Sequence, residues 1–219
     1  GYSNIIRGEY HQYFVAKGPG VGEPFDLEMF KDIAKNGIKA LVCDSTNVFS
    51  MHPGRSEATL KASIAELIAE APAMVVATTF ASNVARLRTL AEAATSSGRS
   101  ICLMGRAMRK MVQAALETGV LDDFPSVVSS DEAQEIPRQN LMLLCTGSQG
   151  ERRAATAQLA NGKFQGISLK EGDMVLFSSS TIPGNERDVI RIMNQFSEQG
   201  VDVVTDRMGE YHVSGHANR

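Results

Sequence analysis

Five short apolar runs in this sequence each end in a group of small polar residues, and a helix-like segment follows each group. The groups are CDSTN at 43–47, TTFASN at 78–83, MGR at 104–106, CTGSQGE at 145–151 and SSSTIPGNE at 178–186. In a parallel α/β sheet, such groups share the carboxyl edge of the strands, where ligands bind. Hydroxyls, glycines and backbone N–H groups at helix starts suit phosphate. The pattern therefore predicts an α/β fold whose rim accepts a phosphorylated ligand.

The order of elements predicts a mainly parallel central sheet with helices on both faces. Nearly continuous apolar runs suit strands buried on both sides, and their alternation with helices of roughly 10–15 residues indicates right-handed βαβ units. The predicted strands are Ile38–Cys43, Ala73–Thr78, Ser100–Met104, Leu141–Cys145, Asp173–Phe177 and Val201–Thr205. The predicted helices span about 26–36, 56–71, 83–97, 106–117, 152–160 and 185–199, and Leu121–Pro137 is expected to be a less regular connection.

The two ends of the chain follow a different pattern. Residues 1–22 show no clean period and finish in a glycine-rich stretch, so we expect a linker, an arm or an artificial extension there. Residues 23–219 are then expected to form the domain. The sequence stops at Arg219, just past the segment HVSGH at 212–216, without closing an element. We therefore expect it to be part of a longer polypeptide.

Composition restricts the partners. The net charge of −3 provides no overall basic surface, so any contact with nucleic acid must come from a local site. The three cysteines, Cys43, Cys102 and Cys145, lie in or at the end of apolar runs, and we expect them to be small buried hydrophobes in a reducing cytosol. No apolar stretch reaches the ~18 residues of a membrane span, so no membrane partner is expected.

Motifs for several common chemistries are missing from the sequence. There is no H-x-H-x-D-H or H-E-x-x-H, and only four histidines are present, so a complete metal site is not expected. The region of Ser148 only loosely resembles a G-x-S-x-G nucleophile elbow. The dinucleotide motif G-x-G-x-x-G and the Walker motif are also absent.

Phosphate capture by hydroxyls and helix ends remains possible, and each candidate residue has a structural interpretation beside the functional one. Ser82 can cap the following helix, or it can face a phosphate. Ser214, Gly215 and His216 form a loop in which His216 can donate to a phosphate oxygen, act as a general acid or simply be solvated. Asp44 ends a strand, where it can serve a turn or a function at the rim.

Six strings, in this order, resemble the β-CASP region of ribonuclease J: LVCDSTN, VVATTFASNVARL, LMGRAM, LLCTGSQGE, LFSSSTIPGNE and HVSGH. The resemblance runs from about Pro24 to Arg219. The family comprises metallo-β-lactamase-fold ribonucleases of bacteria and archaea. The β-CASP region of the family is a domain inserted into the metallo-β-lactamase domain, and RNA lies in the cleft between the two.

The resemblance implies roles for single residues. Asp44 matches the acidic β-CASP motif near the metal centre, and His216 matches the histidine near the scissile phosphate, so both are expected to be catalytic. Ser82, Ser214 and His216 match the pocket that grips the 5′-monophosphate of RNA. The further residues expected to bind RNA at this cleft are Asn83, Ser148, Gln149 and Gly215.

The resemblance also implies a setting. The parent would be a zinc-dependent exo- and endoribonuclease in the cytoplasm, acting in RNA decay and maturation and forming a homo-oligomer. The metallo-β-lactamase domain of the parent would be the partner of this domain. Because the sequence lacks the H-x-H-x-D-H ligands, we expect no zinc in this chain and no activity of the chain alone.

Two other classes of protein stay open on the sequence alone. One is a non-catalytic α/β module that binds nucleotides, phosphate or a protein partner. The other is an independent α/β hydrolase that uses His216. An H-x-H-x-D-H motif encoded upstream of Gly22 in the parent gene would favour the ribonuclease over both.

Overall fold

A computed structural model of the protein describes residues 2–6, 9–13, 27–35, 37, 39–43, 45–51 and 55–216. The chain divides into two compact units. The smaller unit contains residues 1–58 and 213–219, and the larger unit contains Thr59–His212.

The elements are numbered in chain order. The strands are β1 Tyr2–Ile6, β2 Glu9–Tyr13, β3 Leu41–Cys43, β4 Val75–Thr78, β5 Ser100–Met104, β6 Val127–Val128, β7 Leu141–Cys145, β8 Met174–Phe177 and β9 Asp202–Thr205. The helices are α1 Leu27–Lys35, α2 Leu60–Glu70, α3 Val84–Ser96, α4 Arg106–Glu117, α5 Ser130–Glu135, α6 Ala155–Ala160 and α7 Glu186–Glu198, with short 3-10 turns at Glu57–Thr59 and Arg138–Asn140.

The larger unit is built on a six-stranded, all-parallel sheet in the order β6-β5-β7-β4-β8-β9. Every residue of β4, β7 and β8 is buried, as their nearly continuous apolar sequences predict for strands covered on both faces. The α/β class is therefore confirmed. The structure also confirms the five predicted strands after residue 70, whose ends move by one or two residues at most.

Helices cover both faces of this sheet. One core cluster joins alternate strand residues such as Val76 and Leu143 to α6 and α7, through Leu159, Ile192 and Phe196. The buried residues of α3 lie outside that cluster, and α3 packs instead with α2 and α4. Helices α2–α4 therefore cover one face and α5–α7 the other.

The smaller unit contains a separate three-stranded sheet in the order β2-β1-β3. Tyr2–Ile6 pairs antiparallel with Glu9–Tyr13, and Tyr2–Asn4 pairs antiparallel with Leu41–Cys43. The prediction that the first strand joins the parallel sheet is therefore wrong. An apolar run shows that a segment is extended, but it does not identify the neighbouring strand, and here an N-terminal strand without a clear period takes that place.

The sixth strand of the parallel sheet comes instead from Leu121–Pro137, the connection that we expected to be less regular. Val127–Val128 forms the edge strand beside β5, and the short helix α5 follows with a capping box between Ser129 and Glu132. A strand of two residues carries no period, so sequence patterns do not reveal it. In the described part of the chain, no helix is long and apolar enough to cross a membrane.

Candidate functional site

The strand order creates a crevice between the ends of β4 and β7. From β4 the chain passes through α3 to β5, beyond β7, whereas from β7 it passes through α6 to β8, beyond β4. These crossovers run in opposite directions, and their helices lie on opposite faces of the sheet. Ligands of open α/β sheets bind at such a topological switch point, outside the carboxyl ends of the strands. Two of the predicted ligand-binding segments, at 78–83 and 145–151, flank this crevice.

The segment after β4 resolves the two interpretations of Ser82. Asn83 caps α3, because its side-chain oxygen accepts a hydrogen bond from the backbone N–H of Arg86 at 3.1 Å. The cap interpretation of Ser82 is therefore wrong. Ser82 is exposed and precedes the cap residue, so its hydroxyl does not cap the helix. A neutral donor beside the positive end of a 13-residue helix suits an anionic ligand.

Two glycines shape the segment after β7. Gly147 has φ +110°, and a Cβ there would lie 2.6 Å from the Cβ of Ala154. Gly150 has φ +82°, and a Cβ there would lie 2.7 Å from the carbonyl carbon of Asp188, in the first turn of α7. Because a left-handed backbone and close packing both require glycine, these two positions fix the path of the loop that carries Ser148 and Gln149.

The side chain of Gln149 joins this loop to the loop after β8. Its Nε2 donates to the carbonyl oxygen of Ser180 at 3.0 Å, and its Oε1 accepts from the N–H of Ile182 at 2.8 Å and from Nδ2 of Asn185 at 3.4 Å. The residue is only 6% exposed. The visible role of Gln149 is to hold two rim loops together, and direct contact with RNA stays a prediction.

Two buried hydroxyls lie on these same loops. Ser148 is 2% exposed and Ser179 is 4% exposed, and within the described part of the chain neither hydroxyl oxygen has a hydrogen-bond partner. Each residue directly precedes one partner of the Gln149–Ser180 hydrogen bond. Buried polar atoms are normally paired, and unpaired ones mark positions for a water or a ligand atom. This finding is compatible with the predicted role of Ser148, which it leaves as a prediction.

Arg86 is buried at the same edge of the sheet and is fully desolvated. Its Nη1 donates to the carbonyl oxygen of Ser178 at 2.7 Å and to the Ser178 hydroxyl at 2.9 Å. The same nitrogen lies 3.4 Å from the carbonyl oxygen of Tyr211 and 3.2 Å from Nδ1 of His212. The first turn of α3 is thereby linked to the end of β8 and to the segment after β9.

Exposed arginines supply positive charge at the carboxyl edge. Arg106 is the first residue of α4, directly after β5, whereas Arg152 and Arg153 follow the loop after β7. The strands β5 and β7 are neighbours, and their ends lie close together: a Cβ added to Gly105 would lie 3.7 Å from Oγ1 of Thr146. Acidic residues at the same edge, among them Glu151, offset part of this charge, so the positive charge is local to the ends of β5 and β7.

The other predicted site residues belong to the smaller unit. Ser214, Gly215 and His216 form an exposed loop, in which the backbone N–H of His216 donates to the Ser214 hydroxyl at 3.2 Å. Nδ2 of Asn47 donates to the carbonyl oxygen of His216 at 3.1 Å. The CDSTN segment and the HVSGH segment are thus joined directly. Asp44 lies outside the described residues, and the convergence of Ser82 with Ser214 and His216 stays a prediction.

Among the described residues, no cluster of three or more His, Cys, Asp or Glu side chains could hold a metal ion, and two of the three cysteines have side chains that the structure describes. Cys102 and Cys145 are free and buried, as we expected for small hydrophobes. Burial raises the pKa of Cys102 to about 11, against a smaller opposite effect of Arg109, and burial raises the pKa of Cys145 even further. Both thiols therefore stay protonated at neutral pH and are inert.

Sequence reasoning missed Arg86, and it missed the contacts that Ser178 and His212 make with Arg86. Arg86 lies four residues before Leu90, on a buried and mainly apolar face of α3. A charged residue at helical spacing within an apolar face was the available signal. Its partners could not be found in the same way, since they lie 92 and 126 residues further along the chain.

The fold and the polar switch point define an α/β domain suited to a phosphorylated ligand, and comparison with known proteins gives its family. Residues 73–196 match the family described as "Ribonuclease J, beta-CASP domain". The match covers most of the larger unit, including the crevice, and the chain belongs to this family.

Named relatives agree with this assignment. The chain is 41% identical over 201 residues to Ribonuclease J of Sinorhizobium meliloti, which covers 92% of this chain and 36% of that protein. It is 36% identical over 200 residues to Ribonuclease J 1 of Streptococcus pyogenes, covering 91% of this chain and 36% of that protein. With Ribonuclease J of Mycoplasma pneumoniae it shares 33% identity over 218 residues, which cover 99% of this chain and 38% of that protein. The chain thus spans little more than a third of the length of these relatives.

Proposed function

We propose that this chain is the RNA-binding β-CASP domain of a ribonuclease that processes RNA. The observation that carries the proposal is the coincidence of the family match with the switch-point crevice, because residues 73–196 include both loops that flank it. Exposed Arg106, Arg152 and Arg153 support a polyanionic ligand at the same edge.

The ligand group at this edge is, in our proposal, the 5′-monophosphate of RNA. Ser82 supports it, since its hydroxyl is exposed beside the start of α3 and is not used as the helix cap. Ser214 and His216 support it through an exposed loop that presents a hydroxyl, backbone N–H groups and an imidazole. Such neutral donors and helix ends bind phosphate without a large net charge.

Catalysis belongs to the larger polypeptide in this proposal. Asp44 and His216 contribute to it, and the metallo-β-lactamase domain of the parent supplies the ligands for zinc. Zinc would activate a water molecule for attack on the phosphodiester. The metal chemistry is assigned to the partner domain in this proposal. The cytoplasmic location and the homo-oligomeric state of the parent are parts of the same proposal.

The experiment that tests this function compares two RNAs. Fluorescence anisotropy measures the affinity of the chain for a short single-stranded RNA that carries either a 5′-monophosphate or a 5′-hydroxyl. We expect tighter binding of the phosphorylated RNA, and Ser82→Ala or His216→Ala should remove most of the difference. Ser96→Ala, at the distant end of α3, is the matched control and should leave the difference unchanged. Equal affinity of the wild type for both RNAs would refute the proposed pocket.

A further inference from the structure

A buried arginine connects the start of α3 to the segment that leads into HVSGH. Arg86 has no exposed surface, and its Nη1 is bonded to the carbonyl oxygen and the hydroxyl of Ser178. The Ser178 hydroxyl in turn donates to the carbonyl oxygen of Tyr211 at 2.6 Å, which also lies 3.4 Å from Arg86 Nη1. Tyr211 is therefore held at one backbone atom by two buried side chains.

His212 is held by the same guanidinium. The distance between Arg86 Nη1 and His212 Nδ1 is 3.2 Å. A guanidinium can only donate hydrogen bonds, so Nδ1 of His212 must be the acceptor. This contact fixes the orientation of the His212 ring as well as the backbone of the preceding residue. The chain then continues, after one residue, into Ser214, Gly215 and His216.

A second buried arginine shows what a purely structural guanidinium does in this unit. Arg99 is 5% exposed and donates to the carbonyl oxygens of Ile68, Ala71 and Ala73, with distances between 2.6 and 3.2 Å. Desolvation lowers its pKa. All of these partners lie between the end of α2 and the start of β4, at the amino edge of the sheet, so Arg99 contributes to packing at a distance from the rim.

We propose that Arg86 is a positioning residue for RNA binding, which, with Ser178, fixes the Tyr211–His212 segment from which the chain continues into the loop of Ser214, Gly215 and His216. The inference rests on the proposed function, because it assigns to that loop the 5′-phosphate of RNA. The planar guanidinium is required because the acceptors share the two N–H bonds of Nη1, which point in fixed directions in the plane of the group, whereas a lysine ammonium is a compact point charge on a flexible stem. Loss of this orientation should weaken recognition of the phosphate more than it weakens the rest of RNA binding.

The test measures the ratio of affinities for 5′-monophosphorylated and 5′-hydroxyl RNA, well below the melting temperature of each variant. Arg86→Lys and Ser178→Ala should each reduce this ratio by about tenfold, the size of the effect expected when about one hydrogen bond to the phosphate is lost. Arg99→Lys is the matched control: it removes a comparable buried guanidinium and should lower the melting temperature without changing the ratio. Ser178→Ala serves as the second variant, since it removes a single hydroxyl if Arg86→Lys folds poorly.

The outcomes separate the two hypotheses. A wild-type ratio of one refutes the proposed function and this inference with it. A wild-type ratio well above one that is unchanged in Ser178→Ala, or that falls equally in Arg99→Lys, overturns the positioning role alone. A fall confined to Arg86→Lys and Ser178→Ala supports it.

Discussion

The side-chain amide of Gln149 donates to the carbonyl oxygen of Ser180 at 3.0 Å and ties together the loops after β7 and β8. Strand β4 lies between these two strands in the sheet, so the tie spans the end of the central strand. Both ends of the amide are used, since Oε1 accepts from the N–H of Ile182. The loops at this edge of the domain are therefore held together by hydrogen bonds, and substitutions can test how much each bond contributes to stability.

Replacement of Gln149 by alanine should destabilise the chain by roughly 1–3 kcal/mol, because it removes two part-buried hydrogen bonds, to the carbonyl oxygen of Ser180 and from the N–H of Ile182. Gln149→Glu should also be destabilising, since a carboxylate cannot donate to the Ser180 carbonyl. Urea unfolding measures both effects. Gln113→Ala is the control, because Gln113 is exposed and bonds only to Glu117 on α4. Equal stabilities of the Gln149 and Gln113 variants would contradict the bracing role.

Alanine substitutions at two glycines of similar backbone conformation distinguish the cost of a strained backbone from the cost of a steric clash. Gly150→Ala and Gly184→Ala both place a side chain at positive φ, at +82° and +100° respectively. Only at Gly150 would the new Cβ meet backbone, 2.7 Å from the carbonyl carbon of Asp188. Gly150→Ala should therefore cost more stability, by about 1–3 kcal/mol for overpacking. Thermal unfolding of the two variants checks this, and a larger loss in Gly184→Ala would show that the close approach is absent.

The buried thiols predict a loss of stability at alkaline pH. The pKa of Cys102 is about 11 in the folded chain, owing mainly to burial, against about 8.5 in an unfolded chain. Between these values the unfolded state releases the proton first, so the free energy of unfolding falls as pH rises, by up to ~1.4 kcal/mol per pH unit. Cys145 acts in the same direction. Cys102→Ala should make the decline shallower in unfolding experiments from pH 8 to 10.5, and an unchanged slope would be inconsistent with a buried neutral thiol.

The parallel sheet could be predicted from the sequence because its strands and helices are long and strongly patterned. The strands β4 and β7 are apolar at nearly every position, and α3 has a polar start and a glycine stop. The partner of β3 could not be predicted, because pairing depends on which distant segment completes the sheet. Strand β6 escaped prediction because two residues show no period.

Only part of the candidate site could be predicted from the sequence. The polar segments at 78–83 and 145–151 were predicted to reach one edge, and the strand order shows that they flank the switch point. The order itself cannot be obtained from local patterns. The cap of α3 is a local contact for which the sequence offers both Ser82 and Asn83, whereas the partners of Arg86 are set by tertiary packing.

Metal analysis tests whether the zinc site lies outside this chain. The purified, tag-free chain should contain no stoichiometric zinc and should cleave no RNA, because a hydrolytic zinc site usually requires three protein ligands and a water molecule. Elemental analysis and a nuclease assay provide the measurements. Stoichiometric zinc together with nuclease activity that a chelator removes would show that this chain carries a catalytic centre of its own.

The most direct test of the account is an NMR titration of the isotope-labelled chain with short 5′-monophosphorylated RNA. Binding at the carboxyl edge and the HVSGH loop should shift one group of backbone amide signals more than any other, namely those of Ser82, Asn83, Ser148, Gln149, Ser214, Gly215 and His216. The amino edge provides the internal control through Gly98, Gly172 and Asp173, whose signals should stay in place. Shifts concentrated at the amino edge, or no shifts at any RNA concentration, would contradict the proposal that this domain binds RNA through its polar rim.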